Sequence, residues 1–141
     1  MKIVFTAICF FASLICSAQH KTEKSKHKNF EEKIILKQTF TDSSFAGKEV
    51  QIMTLTIPAS SRDTSAHRHN CHLMGYILTG NVVTKMKDKE ALYLSQGQTF
   101  YEELNELHEY IYNPDKKKEA VIILYYLYDK GANLYHKESH K

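Results

Sequence analysis

The stretch His67-Arg68-His69-Asn70-Cys71-His72-Leu73-Met74-Gly75-Tyr76-Ile77-Leu78-Thr79-Gly80 decides how the rest of the chain reads. Three imidazoles and one thiol open it, and an apolar run then leads to a Thr-Gly turn. Side chains at i and i+2 of a strand share a face, so His67 and His69 point together while Arg68 points away. Two imidazoles fixed side by side can chelate a divalent ion at nitrogen–metal distances of about 2.0–2.2 Å. From spacing alone the pair is equally consistent with a hydrogen-bonded surface pair. A third ligand is expected in an open site, and His108, behind a second Gly-bounded stretch, is the best candidate.

Outward from this stretch the chain reads as short strands separated by turns. Upstream, residues 33–40 form a short strand, and the Asp42-Ser43-Ser44 to Gly47-Lys48 loop precedes a clear strand over 49–57. That strand has apolar and β-branched residues in both registers and ends at Pro58, which cannot donate to a ladder. A loop over 59–66 leads to the histidines. Downstream, 74–78, 82–86, 91–94 and 99–101 alternate with the turns Gly80-Asn81, Asp88-Lys89 and Ser95-Gln96-Gly97-Gln98. Residues 102–108 read as a loop into a strand over 109–112, closed by Asn113-Pro114-Asp115. The apolar run 120–128 suits a central strand buried on both faces. Short strands at regular spacing with glycine turns predict an all-β barrel or sandwich, and no helix of two turns is required.

The two ends read differently. Met1-Lys2 is a positive n-region, residues 3–15 an apolar h-region, and Cys16-Ser17-Ala18 a small-x-small cleavage site, so residues 1–18 are expected to be a signal peptide. The run is shorter than the roughly twenty apolar residues of a membrane span. The protein is therefore expected to be exported, periplasmic or secreted, with no membrane attachment after cleavage. Residues 19–32 form a polar, lysine-rich leader with little to bury, and 136–141 a polar tail. Cleavage removes Cys9 and Cys16 and leaves Cys71 alone, so no internal disulfide can form and the apolar core must hold the fold. The net charge of +3 is spread among lysines beside acidic residues rather than gathered in a stripe, which argues against nucleic-acid binding.

The histidine stretch resembles the first conserved motif of the cupin superfamily, including its terminal glycine. Gly97-Gln98-Thr99-Phe100-Tyr101-Glu102, with His108 and Asn113, resembles the second. Gly47-Lys48-Glu49 and Asp129-Lys130-Gly131-Ala132 are similar to a group of small exported single-domain cupins, so the likeness spans residues 33–135. It implies a double-stranded β-helix, or jelly-roll barrel. Its interior would hold a divalent ion (Fe, Mn, Ni or Zn) through His67, His69 and His108. The family's first motif commonly places a glutamate ligand where this chain has Leu73, which cannot bind a metal. Glu102 is the expected replacement, as ligand, catalytic base or partner to an imidazole, and His72 is a further candidate ligand. Cys71 is a third, and Tyr76 or Tyr101 is a candidate for aiming a hydroxyl inward.

The resemblance implies a metal-dependent enzyme, such as a dioxygenase or isomerase, acting on a small oxygen-rich molecule. Three neutral histidines leave the ion's charge uncompensated, which favours an anionic or enediol-like ligand. A non-catalytic barrel that binds a metal or small molecule, and a purely structural barrel, stay open as alternatives. Small cupins often pair through edge strands, so a homodimer is expected.

Overall fold

A computed structural model describes residues 30–138, so the signal-peptide reading and most of the leader lie outside the described residues. The described chain is all β, as expected. Its strands are β1 (Glu31–Thr39), β2 (Lys48–Ile57), β3 (Arg62–Asp63), β4 (His67–His69), β5 (His72–Thr79), β6 (Asn81–Met86), β7 (Leu92–Ser95), β8 (Thr99–Glu102), β9 (Leu107–Tyr112), β10 (Ala120–Asp129) and β11 (Tyr135–Lys137). One sheet runs β1-β2-β10-β5-β8. The other runs β11-β4-β9-β6-β7, with β3 also on β9. All pairings are antiparallel, and the two sheets face each other as the double-stranded β-helix of the cupins.

The period-2 pattern turns one set of side chains inward. On β10, Ala120, Ile122, Leu124, Tyr126 and Tyr128 are buried and their alternates half-buried, so this central strand has one buried face rather than the two expected. Ile57, Leu73, Ile77 and Val82 fill the core beside it. Gly75 makes room in this wall. It pairs with Phe100, and a Cβ at position 75 would sit 2.1 Å from the Phe100 ring, which therefore lies flat over the glycine. Gly80, at φ +78°, carries the chain between the sheets so close to Ala120 that a Cβ would lie 2.9 Å from its Cα.

Asn113, 1 % exposed, ties the second motif to the far sheet. Its Nδ2 donates to the carbonyls of Ile57 (3.0 Å) and Lys118 (2.8 Å), and its Oδ1 accepts from the N–H of Asp115. Three features escaped the sequence pattern. The first barrel strand begins at Glu31, inside the residues read as leader. The loop before the histidines carries β3. The C-terminal segment forms β11 against β4, with Tyr135 opposite His69.

Candidate metal centre

The two histidine segments meet because of strand register. β4 pairs with β9 so that His67 stands directly across from His108, 41 residues later. Both are buried, at 7 % and 4 % exposure, and His69 follows on the same face of β4. Arg68 turns outward to pair with Glu138 and donate to the Asn105 carbonyl, as alternation requires.

The three rings form a connected set. Nε2 of His67 lies 3.1 Å from Nε2 of His69 and 3.2 Å from Nδ1 of His108. Nδ1 of His67 is 2.7 Å from the Ser65 carbonyl, which can only accept, so that nitrogen carries the proton and the Nε2 lone pair faces the other imidazoles. Nε2 of His108 in turn lies 2.9 Å from the Thr84 hydroxyl. Burial, then the neighbouring imidazoles, push His108 down to about 3; burial and His67 push His69 down to about 4. Both rings are therefore neutral at physiological pH, the form in which imidazole binds a metal.

Glu102 completes the group by an unexpected route. It pairs across the β5–β8 ladder with Leu73, the position at which the resemblance would place a glutamate. Both side chains point inward, so the carboxyl missing from β5 is supplied by its neighbour on β8. Oε2 of Glu102 stands 3.8 Å from Nε2 of His69. The residue is 3 % exposed, and burial, reinforced by Glu106, raises its pKa to about 8, so the carboxyl is largely protonated at neutral pH.

Among the described residues no three His, Cys, Asp or Glu side chains already converge as a closed metal cluster. The imidazoles form a hydrogen-bonded chain with His67 in the middle, rather than three lone pairs aimed at one point. The donor set nonetheless fits a divalent ion. Neighbouring ligands about 2.0–2.2 Å from an ion sit roughly 3 Å apart, which is the spacing of these nitrogens. Nδ1 of His69 and Oε2 of Glu102 are buried without a hydrogen-bond partner, an arrangement that is costly unless something else engages them. Moving the protons of His69 and His108 to their other ring nitrogens would free the two lone pairs.

The other candidates lie elsewhere. His72, expected as a possible ligand, is exposed on the outer face of β5. There its Nδ1 is 2.6 Å from the Tyr101 hydroxyl, with the two rings stacked, so it cannot share an ion with the inward histidines. Tyr76 and Tyr101 also face outward. Cys71 is buried in the core at 1 % exposure, and burial, with Glu102, pushes its thiol up to about 12, so it packs as a small apolar side chain.

A cavity of about 450 Å³ opens over the three histidines and Glu102. Its walls include Phe30, Glu32, Asp63, Tyr126 and Tyr135, none of which sequence reasoning had placed at the site. Tyr126 was hard to choose because Tyr125 beside it is equally apolar and aromatic. Asp63 and Phe30 fell in segments read as loop and leader.

No protein-family model matches the sequence, and comparison with curated proteins gives no match. Solved structures do match. A cupin-like protein from Thermotoga maritima superposes with a TM-score of 0.60 at 17 % identity, covering 79 % of this chain and 77 % of that one. The DMSP lyase DddQ from Ruegeria pomeroyi gives 0.59 at 14 %, covering 76 % of this chain but 50 % of its own length. A conserved double-stranded β-helix protein from Klebsiella pneumoniae gives 0.59 at 9 %, covering 80 % and 87 %. These likenesses establish the cupin fold.

Proposed function

We propose that the barrel binds one divalent ion through His67, His69 and His108 and, with Glu102, acts on a small oxygen-rich molecule held in the cavity. The observation that carries this reading is the 3.1 and 3.2 Å spacing of three inward imidazole nitrogens at the inner end of that cavity. A bound Fe, Mn, Ni or Zn ion would supply a Lewis acid and, where redox-active, a route for electrons, which suits an isomerase or a dioxygenase. The chain's own contribution is Glu102, which can give or take a proton at a ligand atom beside His69. Leu73 and Phe100 wall the site with apolar surface and exclude water. The DMSP lyase among the structural neighbours is an example of small-molecule chemistry on this fold and supports an enzyme here by analogy.

We place the protein outside the cytoplasm, after cleavage at Ala18. Expression of the full chain should yield a product beginning at Gln19. Its metal content, measured without an affinity tag, should be about one ion per chain, against none in a His67→Ala/His108→Ala variant. Equal content in the two proteins after remetallation would sink the reading. One ion without turnover of any chelating substrate would leave a binding module in the same pocket.

A further inference from the structure

The histidines and Glu102 account for the inner end of the cavity but not for the charge of its mouth. Among the described residues three carboxyl groups line the cavity, those of Glu32, Asp63 and Glu102, and no lysine or arginine does. Among the described residues neither Glu32 nor Asp63 is held in an ion pair. Asp63 uses Oδ1 to accept from the Ser65 N–H, which fixes its loop without neutralising it. Aromatic rings accompany the carboxylates. Phe30 and Tyr126 also line the cavity, and Tyr135, 38 % exposed, stands where it meets solvent. At the inner end, Oε2 of Glu102 is buried and has no hydrogen-bond partner, so the space is built to receive a polar ligand rather than being a gap in packing.

Resting on the metal-binding reading above, we propose that this cavity selects a bipolar small molecule. Its inner end carries metal-seeking oxygens, and its outer end is a cation such as an ammonium or other onium group. Carboxylates attract that charge through a partly desolvated mouth, and aromatic faces add cation–π attraction. An outer carboxylate meets the same groups as like charges and no counterion. This narrows the expectation of an anionic or enediol-like ligand: that character is confined to the end that faces the histidines.

Three catechols with one chelating head and different tails test the idea: 4-(2-aminoethyl)catechol, 4-ethylcatechol and 3,4-dihydroxyphenylacetate. Calorimetric titration of the zinc-loaded mature protein, with zinc content measured on the same sample, should rank them ammonium, neutral, carboxylate. About tenfold or more should separate the extremes at low salt. The gap should narrow in higher salt and in a Glu32→Gln/Asp63→Asn variant whose circular dichroism matches the parent. A zinc-loaded protein that binds the carboxylate as tightly as the amine overturns the inference and leaves the metal reading standing. So does a gap that survives in the double variant. A protein that retains no zinc defeats the metal reading, and the ranking is then read on the metal-free form, where the amine must still lead. Binding of none of the three by either form overturns the inference.

Discussion

At the scale of single residues, the site is a set of groups held in their neutral states by burial, and this has a measurable signature. His69 and His108 titrate near 4 and 3 in the fold against 6.5 when exposed. Their contribution is intact above pH 6.5 and is lost as pH falls toward 3, because the unfolded chain takes up protons that the folded one refuses. Glu102 works in the opposite direction. Its pKa is raised from 4.5 to about 8, so its contribution is intact below pH 4.5 and is lost as pH rises through 8. The metal-free protein is therefore weakened from both sides. Glu102→Gln removes the alkaline loss, on the order of 2–4 kcal/mol by pH 9. Melting in the presence of EDTA should show the variant drawing ahead of the parent as pH rises from 5 to 9. Parallel profiles would mean that Glu102 is already ionised in the fold.

At the scale of strands, the packing of β5 against β8 depends on an absent side chain. The Phe100 ring occupies the space that a Cβ on Gly75 would need. Gly75→Ala should lower stability by about 1–3 kcal/mol through overpacking. Phe100→Leu, which is mildly destabilising alone, should recover part of that loss when combined with it. Urea midpoints of the four proteins measure the coupling, and simple additivity would show that the ring does not depend on the glycine. The same pair of strands shows what a sequence can convey. Alternation revealed that His67 and His69 share a face, and the glycine turns marked where strands end. The motif resemblance brought His108 into the site, and register confirmed the meeting across β4 and β9. That Glu102 lies opposite Leu73 was not legible, because cross-strand pairing depends on register between segments with no contact along the chain. His72 misled for a different reason. The chain breaks at Asn70-Cys71 between β4 and β5, which left the direction of His72 open, yet strict alternation from His69 already turns Cys71 inward and His72 outward, as observed. Residues 19–32 were read as polar leader, yet Phe30 packs against the core; Tyr135, at the far end of the barrel, packs on both His67 and His69, and one aromatic in each segment is too sparse to form a pattern.

At the scale of the whole molecule, β1 forms the edge of its sheet and leaves Ile34, Ile35 and Leu36 exposed at 57 %, 56 % and 44 %. A nine-residue edge strand with apolar side chains is an invitation to pair, and we expect a homodimer built on it. Light scattering should give twice the chain mass for the parent and a monomer for Ile35→Lys. A parent that stays monomeric at high micromolar concentration would remove β1 from consideration. The order of strands also bears on when folding can happen. β10 lies between β2 and β5, although it is the penultimate strand in sequence. During synthesis, β2 and β5 lack their common neighbour until residue 129 has been made, and β4 lacks β11 until residue 137 has emerged. The first sheet therefore cannot close until β10 has been made, whereas β4, β9, β6 and β7 of the second are all present by residue 112 and lack only an edge strand. In a chain exported as proposed above, the first sheet would still be open during passage, and the ion bound would be set by the compartment on the far side.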